Sequence, residues 1–153
     1  LLKIMINYFN EEITFNLTRR RTITKWLRIT ALERGIKVGQ LNYIFCSNSF
    51  LLRINRDFLG HDYFTDIITF DYSPDYELQY GSDSVSGDIY ISIDTVRKNA
   101  EIYGEGFERE LHRVIVHGLL HLLGFDDVTP ELQAEMRLQE EIALEKLSSM
   151  LDS

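Results

Sequence analysis

Cysteine, long apolar runs and net positive charge are all scarce in this chain. The single cysteine, Cys46, excludes an internal disulfide. It lies in an apolar stretch and reads as a small buried hydrophobe, which fits a reducing compartment. No apolar run approaches the roughly 20 residues needed to span a bilayer. The opening LLKIMINYFNEE turns polar almost at once, so no signal peptide is expected. The expected location is cytoplasmic, with no membrane partner. Internal repeats, low-complexity tracts and an interdomain linker are missing too, so residues 1–153 read as a single domain.

A formal net charge of −8 argues against a chain that is basic throughout. Its distribution is uneven. Residues 1–40 hold eight Lys/Arg and three Asp/Glu, a balance of +5. Residues 41–153 hold eight and twenty-one, a balance of −13. Such asymmetry can leave a basic patch on an acidic protein. The length suffices for a real hydrophobic core.

Residues 3–9 and 12–17 read as two short strands with a turn near Asn10. A helix follows over 18–33, stopped by Gly35. Its apolar stripe is Ile23, Trp26, Leu27 and Ala31. Arg21, Lys25 and Arg28 fall at i, i+4 and i+7 on the opposite face, a solvated stripe or a phosphate-contact surface. Residues 40–46 form a strand. Ser47 or Asn48 caps a helix over 49–58, which Gly60 ends. Residues 66–72 (DIITFDY) and 87–93 (GDIYISI) read as an antiparallel strand pair. The polar stretch between them, 73–86, is long for a structureless loop. Asp94 is expected to cap a helix to about Tyr103. Another helix runs over 107–123. Thr129-Pro130-Glu131 is a strong helix start, with a capping hydroxyl, proline at the first position and an acid in the first turn. That helix continues to about Leu147, with Leu132, Met136, Ile142 and Leu147 as candidate buried positions. The fold class is α+β: a small mixed sheet of four or five strands covered by helices, with helix 107–123 central and buried.

That helix carries the most informative segment, His117-Gly118-Leu119-Leu120-His121-Leu122-Leu123-Gly124-Phe125-Asp126-Asp127. Two imidazoles four residues apart stack on one helix face. Gly124 can take the left-handed backbone that ends a helix and turns the chain back. The carboxylates of Asp126 and Asp127 arrive just past that turn. Two neutral nitrogens and one anionic oxygen, with a position left for water, make a catalytic zinc ligand set. Two buried imidazoles need partners, since each unpaired buried polar group costs about 1–3 kcal/mol. A shared ion satisfies both, which favours the metal reading over a structural one. Zinc proteases of similar layout carry glutamate after the first histidine as general base. Gly118 stands there, so a peptidase is disfavoured.

The motif resembles the signature of the YbeY family, bacterial endoribonucleases of ribosomal RNA maturation, of the form His-Gly-x-Leu-His-Leu-x-Gly-Tyr-Asp-His. Two further segments agree. Thr65-Asp66-Ile67-Ile68-Thr69-Phe70 is similar to the family's Thr-Asp-Val-Leu-Ser-Phe strand, and Gly87-Asp88-Ile89-Tyr90-Ile91-Ser92 to its Gly-Asp-Ile-x-Ile strand. Order and spacing hold from about residue 4 to 147. The family's third metal-binding histidine falls on Asp127, a competent ligand, so the resemblance gives the metal role to His117, His121 and Asp127. An anionic ligand weakens the ion as a Lewis acid and blurs its identity, with zinc the leading choice. The family's usual arginine before Gly60 is Leu59 here, and Arg56 is the nearest substitute in sequence.

The resemblance implies a metal-dependent, single-strand-specific endoribonuclease that matures ribosomal RNA, including the 16S 3′ end, and serves ribosome quality control. The implied partners are ribosomal RNA, the small ribosomal subunit and ribosomal proteins, with no DNA. A non-catalytic ribosome-assembly factor with a structural metal stays open, as does a metallohydrolase of another substrate. Asp126 either bonds a ligand imidazole or caps the turn. Arg21, Lys25 and Arg28 are the candidate phosphate contacts. Tyr72, Tyr76 and Tyr80 either stack on bases or pack the polar loop. Asp66 and Asp88 read as strand-end residues, and His112 as a surface or core-edge residue. His61 has no assigned partner.

Overall fold

The structure, a computed structural model, describes residues 5–152. In chain order it contains β1 (Met5–Glu11), α1 (Arg20–Leu32), β2 (Lys37–Cys46), α2 (Asn48–Leu59) and β3 (Ile67–Asp71). A 3-10 turn (Ser73–Tyr76) and the one-turn α3 (Glu77–Tyr80) follow. β4 (Ser84–Ser92), α4 (Ile93–Tyr103), α5 (Phe107–Leu122) and α6 (Pro130–Leu151) complete it. The strands form one open mixed sheet in the order β1-β2-β4-β3. β1 and β4 flank β2 in parallel, and β3 runs antiparallel to β4. The chain is an α+β domain, as its element pattern implies.

The sheet buries both faces unequally. Leu41, Tyr43 and Phe45 of β2 alternate toward α1, α5 and α6 with Ile89 and Ile91 of β4, all at 1% exposure or less. Period-two alternation puts such residues on one face. Cys46, Leu51 and Ile68 form a smaller cluster beneath α2 on the opposite face. The central position of α5 follows from its sequence. Leu111, Ile115, Leu119 and Leu120 are fully buried, and each removes apolar surface at about 1.5–3 kcal/mol per side chain. Gly118 lets it settle. A Cβ there would stand 2.8 Å and 2.9 Å from carbons of Ile89 and 3.1 Å from Ile67. Glycine thus sets the helix-to-sheet distance at the level of the two histidines.

Several boundaries differ from expectation. Residues 12–17 are not a strand; the start of the first one, residues 3–4, lies outside the described residues. Ile13, Phe15 and Leu17 alternate toward the core, and Phe15 packs edge-on against Phe45 at 5.2 Å. Among the described residues no neighbouring strand is available, however, because β1 pairs with β2 and Glu12 turns the chain at φ 60°. The alternation reports half-burial of an extended segment without a ladder. The polar stretch after β3 folds as a 3-10 turn, α3 and the start of β4. β4 begins at Ser84 because small hydroxyl residues fit where β2 is irregular. Ser86 Oγ accepts from Gln40 N at 3.0 Å, in space that a side chain at Gly39 would occupy. β4 runs directly into α4, so Ser92 rather than Asp94 caps that helix, accepting from Thr95 N at 3.2 Å. On α6, Met136 and Leu147 are buried, but Leu132 and Ile142 are 38% and 52% exposed. The buried stripe of that helix runs through Met136, Glu140, Ala143, Leu144 and Leu147.

Candidate metal centre and active site

The end of α5 is closed by backbone bonds. Gly124 N donates to His121 O and Phe125 N to Leu120 O, each at 3.0 Å, with Gly124 at φ 104°. This paired closure needs a left-handed residue, which glycine supplies without steric cost. It sends residues 126–127 back along the helix end. Thr129 then starts α6 by accepting from Leu132 N at 3.2 Å, with Pro130 at the first position. The turn is therefore fixed at both ends.

The turn brings the three expected ligands together. His117 Nε2 and His121 Nε2 are 3.0 Å apart. Asp127 Oδ2 lies 3.5 Å from the first and 3.6 Å from the second. Ligand atoms on a tetrahedral zinc at 2.0–2.1 Å stand about 3.3 Å from one another. The observed triangle brackets that value, so the donor set fits a divalent ion. Among the described residues, no other cluster of three or more such ligands occurs.

Glu140 completes the site and was not expected from the sequence. It lies on α6 at 5% exposure, with one carboxylate oxygen 2.6 Å from His117 Nδ1. His117 Nδ1–H donates to it, leaving Nε2 as a lone-pair donor toward Asp127 and His121. The other oxygen accepts from Arg113 at 3.2 Å, one helical turn before His117. Arg113 is itself buried and also bonds Glu141 at 2.8 Å. An unpaired charge at that depth would be costly, so the Arg113–Glu140–His117 chain is tightly determined. Burial works against charge on His117. The bond and charge of Glu140, with Asp127 and Asp66, overcome it and raise the ring's pKa. The field that favours a proton there also favours a metal cation.

The remaining candidates separate clearly. Asp126 turns its carboxylate onto Asp127 N at 2.7 Å, the turn-capping arrangement. Asp66 lines a cleft of about 270 Å³ with His117 and Asp127; burial raises its pKa while His117 opposes the shift. Asp88 is remote from the cluster, accepting from Asn42 at 3.0 Å on the sheet. His112 is a core-edge residue, 6.4 Å from the Trp26 ring. Burial pushes its pKa down to about 4. Arg21, Lys25 and Arg28 line a groove with Tyr8 and Phe9 beside edge strand β1, while the metal cluster faces edge strand β3. Arg56 pairs with Asp62 at 3.1 Å. Tyr76 packs against Tyr80, and Tyr72 stacks on Phe70.

A sequence model described as Endoribonuclease YbeY matches residues 5–148. The chain belongs to the YbeY family. Relatives named "Endoribonuclease YbeY" include one from Porphyromonas gingivalis, 43% identical over 97% of this chain and 93% of its own length. Another, from Phocaeicola vulgatus, is 44% identical over 94% of this chain and 99% of its own. A third, from Cytophaga hutchinsonii, is 45% identical over 91% and 93%. A solution structure from Thermotoga maritima matches with a TM-score of 0.63 at 25% identity, covering 97% of this chain and 92% of that one. In this YbeY-family member the turn carries an aspartate, Asp127, whose oxygen lies nearly equidistant from both imidazoles.

Proposed function

We propose that this chain is a metal-dependent endoribonuclease acting on single-stranded ribosomal RNA. The observation that carries this reading is the ligand triangle of His117, His121 and Asp127, set in a chain of the YbeY family. A divalent ion held there, with zinc the leading choice, supplies a Lewis acid for a phosphoryl oxygen and an acidified water. The chain's own residues do the rest. Glu140 fixes the tautomer and orientation of His117. The closure at Gly124 sets the reach of Asp127. Gly118 places no carboxylate beside the first histidine, which leaves the site without the base of a zinc peptidase.

Openness favours catalysis over a structural ion. The side chains of His121 and Asp127 are 28% and 39% exposed and border a groove. Structural zinc sites are closed by four protein ligands, whereas catalytic sites keep a position for substrate. The specific tasks follow from the same reading: trimming near the 3′ end of 16S ribosomal RNA, ribosome quality control, and action on the small subunit in the cytoplasm. Arg21, Lys25 and Arg28 serve there as an outlying phosphate-contact face.

The test uses wild type and His121→Ala, purified without chelators. Metal content is measured for each, and both are incubated with single-stranded ribosomal RNA fragments. Wild type is expected to hold about one ion per chain and to cleave, and the variant to lose both while keeping its fold. Wild type that holds metal yet cleaves nothing above the variant's background overturns the proposal.

A further inference from the structure

We infer that the groove on the β3 side of the cluster is a nucleobase subsite, in which a base near the scissile phosphate stacks on the His61–Tyr63 ring pair; this rests on the endoribonuclease reading above. His121 and Asp127 line one part of this groove, and His61 and Tyr63 line another, within a volume of about 560 Å³. The groove is thus continuous with the position where chemistry would occur, and its size suits a small organic group.

The two rings are built as a unit. They stack with centroids 5.2 Å apart and planes 17° from parallel. The Tyr63 hydroxyl lies 3.0 Å from His61 Nδ1. The loop beneath them is anchored by one residue of α2. Asn55, 2% exposed, donates from Nδ2 to Tyr63 O at 2.9 Å, and its backbone carbonyl accepts from His61 N at 3.1 Å. A buried asparagine thus pins the loop in front of both rings. Tyr63 nevertheless remains 56% exposed, so core packing does not account for it.

Charge decides what the rings would take. Among the described residues, the lining contains no lysine or arginine, and Asp71 adds a second carboxylate to that of Asp127. Leu59 borders the same groove with an apolar side chain. A phosphate would find neither of those cations there and two carboxylates, one of them Asp127 of the ligand triangle. A nucleobase carries no net charge and has two π faces, and Thr69 and Asp71 can receive its exocyclic donors. Base–aromatic stacking of this kind tolerates sequence and is largely independent of salt, unlike phosphate contact.

Two measurements test the subsite. In the first, the full chain is titrated with single-stranded RNA whose linkages resist cleavage and which carries 2-aminopurine at successive positions. Wild type is expected to quench the fluorescence at one position, and Tyr63→Ala to abolish that quenching while His61→Phe, which preserves a ring, retains it. Equal quenching in wild type and Tyr63→Ala overturns the inference whether or not the protein cleaves RNA. In the second, cleavage of a normal oligonucleotide is compared with one abasic at that position. The missing base should raise KM about tenfold in wild type and cause no further loss in Tyr63→Ala. An abasic penalty of the same size in both proteins sinks the subsite. Absence of cleavage by wild type sinks the endoribonuclease reading instead, and leaves the quenching result to decide the groove. Melting curves matching wild type show that the loss is not unfolding, as the exposure of Tyr63 leads one to expect.

Discussion

The two flanks of the His117–His121–Asp127 cluster are built in opposite ways. On the α6 flank the cleft is about 270 Å³ and is lined by Asp66, Glu110, Arg113 and Glu140, of which Arg113 and Glu140 are bonded to each other. On the β3 flank it is about 560 Å³, with threonines, aromatic rings and apolar side chains. Asp127 borders both. On the proposed reading, the first flank would hold the ligands and the second would receive substrate. Charge is concentrated where it must orient an imidazole, and is sparse where a substrate would have to be admitted and released.

The largest effect expected from breaking this contrast is at Glu140. Replacing it with alanine takes from buried Arg113 its most buried bonded carboxylate, leaving Glu141 at 2.8 Å, and frees His117 to rotate. Removing one partner of a buried ion pair typically costs 3–5 kcal/mol, and loss of a carboxylate that orients a ligand histidine weakens metal binding about 10- to 100-fold. Chemical denaturation and metal titration read the two losses separately. Unchanged metal affinity in Glu140→Ala would show that the α6 flank packs the helix without organising the ligands.

A second test concerns pH and lies on the same helix, five residues before the first ligand. Burial lowers the pKa of His112 to about 4, against an ordinary 6.5 when unfolded. Its Nε2 lies 3.5 Å from Glu108, within ion-pair reach but without an aligned hydrogen bond. The folded state therefore holds the neutral ring. As pH falls below 6.5 the unfolded chain takes up the proton first, so stability is lost from there down to about 4. At pH 5 the loss from this group is about 2 kcal/mol. His112→Gln should flatten that part of the stability curve, and an unaltered acid slope would assign acid sensitivity to the carboxylate network instead.

Gly118 tests how finely the helix is seated between the two flanks. Alanine there would push against Ile89 and Ile67, both part of the packed core face. Overpacking of this size costs about 1–3 kcal/mol. A Cβ would also lift α5 from the sheet at the histidine level. We expect Gly118→Ala to lower the denaturation midpoint with little change in its slope and to weaken metal binding modestly. A variant as stable as wild type would show that the sheet gives way there freely.

These expectations also mark what the sequence could disclose. His117, His121, Gly124 and Asp127 were legible because their geometry is local: a helical repeat of four and a glycine turn bring them together whatever the rest does. Glu140 was not, since it reaches His117 across 23 residues and from another helix. Its signal was present, because an acid on the stripe shared by Met136, Leu144 and Leu147 is kept in a core only when paired. The four strands were legible as apolar runs, but the alternation of Ile13, Phe15 and Leu17 was not distinguishable from a fifth. Period two records half-burial and carries no information about a hydrogen-bonding neighbour. The His61–Tyr63 pair depends on Asn55, whose burial follows only from the packing of α2.

The smallest effect is expected far from the cluster, and it extends the contrast to a third surface. Arg21, Lys25 and Arg28 lie on α1 beside edge strand β1, and Arg20 sits over the Tyr8 ring at 5.3 Å. If this face binds phosphates, its contribution is ionic and additive. Each phosphate of a single strand that is no longer neutralised should reduce the slope of log affinity against log salt by about 0.7. Arg21→Glu with Lys25→Glu should then flatten the slope by about 1.4 and lower affinity at low salt, while kcat on bound RNA stays the same. Tyr63→Ala should do the reverse, lowering affinity at every salt concentration without changing the slope. Binding isotherms over a salt series therefore separate the cationic face from the aromatic groove. An unchanged slope in the doubly reversed variant would remove α1 from RNA binding and leave its charges as a solvated helix face.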